Sequence, residues 1–482
     1  MNNTFFWHDY ETFGRSARRD WPAQFAGLRT DAQLQVIGEP VTIYCQPPSD
    51  RLPDPESCLL TGILPQHCAE RGLPETAFAA AIERELAAPG TIGVGYNSIR
   101  FDDEFTRHLF WRNLIDPYAR EWQNGCGRWD LLDALRCCWA LRPDGIEWPR
   151  HEDGRASFKL EHLTAANDLA HAHAHDALSD VHATLAMARL LRERQPRLWA
   201  FCLELRDKRK VRDEIGVDRP FLHISGRYPL ERGCMAVVWP LAPHPTNPNE
   251  IIVWDLAHDP SELMGLGSEA ARQRLYTRAE DLPEGVTRLP VKTIHVNRSP
   301  IVISQLKTLG AAAQRWGIDL PAAQRHADQA RRVAPQVVHL WPQVYTRPGA
   351  ADGETDVDED LYGGFVGNDD RRTLQQLRGL SPKALAARRV SFADARLDEL
   401  LFRYRARNFP ETLDAGERAR WEQHRARRLH RGEGGAMTLA QFFQRIDDLA
   451  ESSDDAQQAI LECLYDWGQA LAPDIQPLSP ST

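Results

Sequence analysis

An α/β domain, then a small antiparallel β domain, then an all-helical domain is the fold class the sequence predicts, and three shifts in pattern predict it. Strand-like and helix-like periods alternate as far as about residue 195. Short alternating apolar runs broken by Pro and Gly take over between about 197 and 348, and long helical periods dominate from Leu361 to about Gly468. The length of 482 residues, against roughly 150 for a typical domain, also asks for about three units. With 42% hydrophobic and 26% charged residues, collagen-like, coiled-coil and wholly disordered readings drop out.

Each element has its own warrant. Phe5 to Tyr10 is a short aromatic strand, Val41 to Tyr44 alternates as a second and Thr91 to Tyr96 (TIGVGY) forms a third, with helical period over Thr76 to Ala87 between them. From Asp176 to Arg192, Ala177, Val181, Leu185 and Ala188 form one stripe and arginines gather at the end, so a helix closes the first domain near Pro196. Met235 to Trp239, Ile251 to Leu256 and Val291 to Ile303 read as strands of an antiparallel sheet or barrel, with helices inserted around Ser304 to Arg332. Residues 349–360 hold six acids, no base and almost nothing apolar, which predicts a solvated linker. The expected boundaries are 1–195, 196–348, the linker 349–360, 361–472 and a disordered tail 473–482.

The N-terminal apolar run, Phe5 to Trp7, is cut off by His8 and Asp9, which predicts no signal peptide, and no run of about 18 apolar residues predicts a membrane span. Nine scattered cysteines without a Cys-x-x-Cys pair indicate neither a disulfide framework nor a thiolate zinc site, so a reducing cytoplasm is expected.

Three short motifs carry candidate chemistry. In His8-Asp9-Tyr10-Glu11-Thr12 the alternation of a strand puts Asp9 and Glu11 on one face, where two carboxylates repel each other unless a cation lies between them. Taken alone the pair also fits an exposed acidic strand end. Asn97 to Phe105 (NSIRFDDEF) follows the third strand, so Asp102 projects toward the cleft at the strand ends, although acids in a first helical turn are also favoured by the macrodipole. In His175 to Asp180 (HDALSD) the imidazole is suited to deprotonating a water, with Asp180 in the first turns of the helix; Asp176 alone fits a helix cap.

Together these motifs, in the order DxE, then D, then HxxxxD, resemble the DEDDh class of 3′→5′ exonucleases. The match extends through HDYETFG (8–14), PAQFAGLRTD (22–31), GYNSIRFDDE (95–104), RWDLLDALR (128–136), EHLTAAN (161–167), LYGGF (361–365) and YRARNFPETL (404–413), which are similar to the bacterial exonuclease I family over nearly the whole chain. The resemblance implies an α/β ribonuclease-H-like exonuclease domain, an SH3-like β-barrel domain and an α-helical C-terminal domain.

It also implies a function: Mg²⁺-dependent 3′→5′ degradation of single-stranded DNA to 5′-mononucleotides in repair and recombination. Asp9, Glu11 and Asp180 are then the metal ligands for two Mg²⁺ ions, with Mn²⁺ a possible substitute, Asp102 completes the acidic set and His175 is the general base. Glu11, Thr12 and Phe13 match positions near the terminal nucleotide. Arg107, Tyr118, Trp122 and Arg136 match positions along the strand, and Lys159 stands where related sequences often have Arg, keeping the charge but not the bidentate geometry. For Tyr118 and Trp122 the i, i+4 spacing also fits a core stripe. The implied partners are single-stranded DNA and the C-terminal tail of single-strand-binding protein, for a monomer with no membrane association.

Competing readings are an exonuclease acting on RNA or other 3′ ends, a non-catalytic single-strand-binding scaffold and, from His171, His173 and His175, a zinc hydrolase, for which the order of His175 and Asp176 is wrong. A basic stretch from Arg403, Arg405 and Arg407 through Arg418, Arg420, Arg425, Arg427, Arg428 and Arg431 fits a helical surface rich in arginine for solubility, and equally, by its interleaving with Tyr404, Phe409 and Trp421, a strand-guiding face. The net charge of -10 argues against a nucleic-acid partner only as a sum. Residues 361–445 hold 17 bases against 10 acids, and residues 196–348 hold 21 against 16, so the positive potential is local.

Overall fold

The computed structural model describes residues 3–170, 176–346 and 355–473. The chain divides into two compact units that do not follow chain order: residues 1–127, 172–182 and 354–482 form one, and 128–171 with 183–353 the other.

In the first unit, strands β1 (Thr4–Thr12), β2 (Pro22–Thr30), β3 (Val41–Tyr44) and β4 (Thr91–Gly95) lie in the order β3-β2-β1-β4. β1 runs antiparallel to β2, with Trp7 opposite Leu28 and Glu11 opposite Gln24, and parallel to β4, with Thr4 opposite Thr91. The β1–β2 register slips between Glu11 and Thr12, so the chain turns out of the sheet directly after the acidic motif. β4 is buried along its whole length; a Cβ at Gly95 would press on Ser98 and the His8 carbonyl, and Asn97 then takes a φ of 62° to turn the chain into the helix Asp102–Arg112. Phe6, Tyr10 and Phe25 of the sheet pack with Phe78, Ile82 and Leu86 of the helix Glu75–Leu86 and with Leu109 and Phe110.

The C-terminal helices complete this core. Phe13, Trp21, Cys58 and Cys68 form one cluster with Phe442 and Ile446 of the helix Leu439–Ala450 and Leu461 and Leu464 of the helix Asp455–Leu471. Trp111 and Leu114 form another with Leu361, Leu374, Leu397, Leu400 and Tyr404.

Between these clusters lies a buried ionic network that revises two expectations. Of the acidic segment expected to be solvated, the described residues 355–360 are so only in part: Thr355 is exposed and Asp356 and Asp360 are half-buried, but Asp358 and Glu359 are buried, Asp358 completely. The basic stretch expected to be a solvated or strand-guiding face supplies their partners, because Arg403 and Arg407, four apart on the helix Arg396–Asn408, face inward together. Arg403 Nη1 lies 2.8 Å from Asp356 and 2.9 Å from Asp358, Arg407 Nη2 2.6 Å from Asp358 and 2.8 Å from Asp50, and Arg428 Nη1 2.7 Å from Asp356. Arg405 is paired with Glu417, Arg425 with Glu422 and Arg427 with Glu433. Charges that a one-dimensional reading assigns to solvent neutralise each other inside the unit.

The second unit takes up strand β5 (Gly127–Asp130) from Arg128 on and contains an antiparallel sheet of β6 (Phe221–Ile224), β7 (Met235–Pro243), β8 (Glu250–Asp255), β9 (Val291–His295) and β10 (Ile301–Ile303) in the order β10-β6-β7-β8-β9. The helix Leu320–Val337 carries a buried stripe of Ala323, Ala327, Ala330 and Val333. Trp129 Nε1 donates to the Cys202 carbonyl and Trp316 Nε1 to the Ala140 carbonyl, which satisfies both indoles. Among the described residues no helix is long and apolar enough to cross a membrane, and all nine cysteines are free.

Candidate active site

The first two carboxylates of the site come from the end of β1, where Asp9 and Glu11 share a face as strand alternation requires. Asp180, in the first turn of the helix Ala177–Arg194, meets them: one carboxylate oxygen from each of Asp9, Glu11 and Asp180 lies within 4.8 Å of the other two. The helix start is fastened to the sheet, with Ala177 N donating to Gln24 Oε1 at 3.4 Å and Gln24 Nε2 donating to the Tyr44 hydroxyl at 3.2 Å. Asp176 caps the same helix, its Oδ2 accepting from Ser179 N at 3.1 Å.

Asp102 joins from the other side. It is 2% exposed, and its Oδ1 accepts from Tyr10 N at 3.1 Å, the amide between the two acidic residues of β1. Thr106 Oγ1 donates to the Asp102 carbonyl at 2.9 Å and lies 3.0 Å from the Tyr10 hydroxyl, which locks this helix turn onto the strand.

Four acids in one buried place disfavour their own ionisation. Burial first, and then the charges of Asp102, Glu11 and Asp180, hold the Asp9 carboxyl well above the usual range. Glu11 is pushed up to about 8, by burial first and then by Asp180, Asp102 and Asp176. Such a set is stable as carboxylates only with a cation among them. Its oxygen-only composition, among the described residues, fits a hard divalent ion.

The other expected site residues are placed as follows. Thr12 is buried and its Oγ1 donates to the Gly14 carbonyl at 2.7 Å; Phe13 is 4% exposed within the apolar cluster of the C-terminal helices. Arg107 donates to Glu121 at 2.7 and 2.8 Å, to Glu104 at 3.0 Å and to the Tyr362 hydroxyl at 3.0 Å, with its guanidinium 5.3 Å from the centre of the Tyr118 ring. Tyr118 in turn lies 6.0 Å from the Phe365 ring. Trp122 is 65% exposed, so the core-stripe alternative fails for it: 3-10 turns replace an α-helix here and Asn124 takes a φ of 52°. In the second unit, Arg136 pairs with Asp133 at 2.7 Å, while Lys159 is exposed, 3.4 Å from Glu161. His175, with His171 and His173, lies outside the described residues.

Sequence reasoning missed the roles of Gln24, Thr106 and Tyr362. The first two act through one hydrogen bond or two to a neighbouring element. Tyr362 reaches both Glu104 and Arg107 from more than 250 residues away, and only its place in the LYGGF segment marked it.

Three family profiles match the chain: "Exonuclease" over residues 6–188, "Exonuclease I SH3-like domain" over 206–347 and "Exonuclease I C-terminal domain" over 355–471. Exodeoxyribonuclease I of Escherichia coli is 43% identical over 479 residues, covering 98% of either chain. The structure of a moderately thermophilic exonuclease I from Methylocaldum szegediense superposes with a TM-score of 0.92 at 48% identity, over 97% of this chain and 99% of that one. The zinc-bound form of the E. coli exonuclease I complex with single-stranded DNA gives 0.91 at 42% identity, over 98% of this chain and all of that one.

Proposed function

The chain belongs to the exonuclease I family, and from that premise we propose that it is a Mg²⁺-dependent exodeoxyribonuclease that removes 5′-mononucleotides from the 3′ end of single-stranded DNA. The convergence of Asp9, Glu11 and Asp180 supports this reading most. It works in the cytoplasm as a monomer, in repair and recombination, and its protein partner is the acidic, apolar C-terminal tail of single-strand-binding protein.

Asp9, Glu11 and Asp180 would hold two Mg²⁺ ions, with Mn²⁺ as a substitute, since carboxylate oxygens suit hard cations. Divalent ions bound there lower the pKa of a water, polarise the phosphoryl group and neutralise the leaving 3′ oxygen. The remaining work falls to the protein. Asp102 holds the amide of Tyr10 and thereby fixes the direction of Asp9 and Glu11. His175, next in the chain to the capping Asp176, takes the proton from the attacking water. Thr12 and Phe13 follow Glu11 directly and border the terminal nucleotide. Trp122 stacks a base, and Arg136 and Lys159 meet phosphates. Arg107 reaches a phosphate by giving up part of its contact with Glu104 or Glu121.

A single strand labelled at its 3′ end should release labelled mononucleotide at once in Mg²⁺, while a 5′-labelled strand shortens gradually and EDTA stops both. An uncut strand, or early loss of the 5′ label, refutes the reading. Matched RNA and duplex DNA should be consumed more slowly. His175→Ala should lower turnover by about 10²–10⁴-fold and leave single-strand binding intact; loss of binding instead would sink the general-base role.

A further inference from the structure

The proposed reaction leaves a charge problem beside the acid cluster. Asp9, Glu11, Asp102 and Asp180 bring four carboxylates together, and a single strand adds one negative charge per nucleotide. Nearby guanidinium groups of the first unit are already neutralised: Arg19 by Glu359, Arg51 by Asp358, Arg107 by Glu104 and Glu121, Arg120 by Asp103. Arg15 and Arg18 differ. Both are exposed, on the loop that leaves β1 after Glu11 and Thr12, and neither is ion-paired with any described residue.

The loop that carries them is tied down. Phe13 N donates to the Trp21 carbonyl at 2.8 Å, Ser16 N to Asp20 Oδ2 at 2.7 Å, Arg51 Nη1 to the Arg19 carbonyl at 2.5 Å and Arg19 Nε to Glu359 Oε1 at 3.1 Å. Gly14 has no room for a Cβ against the Asp20 carboxylate. Arg18 lies 6.0 Å from the centre of the Tyr362 ring, and the Tyr362 hydroxyl bonds to Glu104 and Arg107, so Arg18 and Arg107 flank one ring. Arg15 is four residues from Glu11, a reach of at most about 14 Å.

We propose that Arg15 and Arg18 grip phosphates of the last few nucleotides of the single strand and thereby position its 3′ end at the acid cluster. The inference rests on the exonuclease reading above. These two combine exposed charge outside any ion pair with a described residue, a loop tied by hydrogen bonds and a place in the chain within reach of Glu11, where the incoming polymer is anionic. A phosphate contact carries no base preference, so the grip is independent of sequence.

The test follows binding of a single-stranded oligonucleotide with a non-hydrolysable 3′-terminal linkage by fluorescence anisotropy across a KCl series. Each lost phosphate contact makes the negative slope of log K against log salt shallower by about 0.7, so R15A/R18A should make it shallower by about 1.4. R15K/R18K should leave the slope unchanged, because lysine keeps the charge. In turnover, R15A/R18A should raise KM by about tenfold with kcat within about twofold of the parent. An unchanged slope in R15A/R18A overturns the inference, as does an equal loss in R15K/R18K. A wild-type chain that binds the strand without cutting it overturns the exonuclease reading, and the slope then still judges the arginines.

Discussion

Two clusters of carboxylates in the same unit meet opposite electrostatic fates. Around Asp9, Glu11, Asp102 and Asp180 the neighbours are other acids, and burial and mutual repulsion raise the affinity of Asp9 and Glu11 for protons. Around Asp50 and Asp358 the neighbours are Arg403, Arg407 and Arg428, and those guanidinium charges outweigh burial and hold both carboxyls well below the usual range. Under the proposed function one cluster would be completed from outside by a cation; the other is completed from within by arginines and serves as a joint. Residue type alone does not separate them. What does is whether the balancing charge belongs to the chain.

The comparison breaks most visibly in activity. Asp9→Asn should lower kcat by about 10⁴-fold, on the scale of losing one member of a catalytic set that acts as a unit. In EDTA the same variant should melt no lower than the parent, because it relieves repulsion. A fall in the metal-free melting temperature would mean that the acid cluster is itself a structural joint. Asp358→Asn should do the reverse, destabilising the fold by about 3–5 kcal/mol through uncompensated Arg403 and Arg407, as denaturant unfolding would register. An Asp358→Asn protein with parental stability would dissolve the distinction.

Acidity sharpens it further. Asp50 and Asp358 have folded pKa values below their unfolded ones, so their contribution is present above the ordinary carboxylate pKa of about 4 and is lost as pH falls below it. Glu11 has a folded value raised to about 8, so in the metal-free chain its contribution is fully present below its ordinary carboxylate range and is lost as pH rises toward and through 8. Melting curves in EDTA should therefore decline at both ends, and Mg²⁺ should raise the alkaline limb more than the acid one. The smallest effect belongs to Arg420→Ala, which removes an exposed pair with Glu399 and should change stability by less than about 1 kcal/mol.

Much of this was legible in the chain. β1, β3 and β4 announce themselves by aromatic or alternating residues, and the spacing of Asp9 and Glu11 places them on one face before any coordinate is known. β2 does not: Pro22 to Thr30 is buried almost throughout, so it has no alternation to read, and only its likeness to a family segment marked it. The acidic run 355–360 misled because composition reports how many charges a segment holds and nothing of their partners. Those partners are Arg403, Arg407 and Arg428, some 45 to 72 residues downstream, and Arg51, 307 residues upstream. For Trp122 it is the core-stripe alternative that fails, since i, i+4 spacing means a stripe only where the backbone is α-helical.

The shared cluster of Phe13 and Trp21 with Phe442, Ile446, Leu461 and Leu464 also sets a timetable. A ribosome working at about 5–20 residues per second delivers Leu464 roughly 15–60 seconds after Asp180. Throughout that interval the loop beyond Glu11 lacks the surface it finally packs against. A chain interrupted in the last helices therefore carries every proposed metal ligand and still lacks the wall behind them.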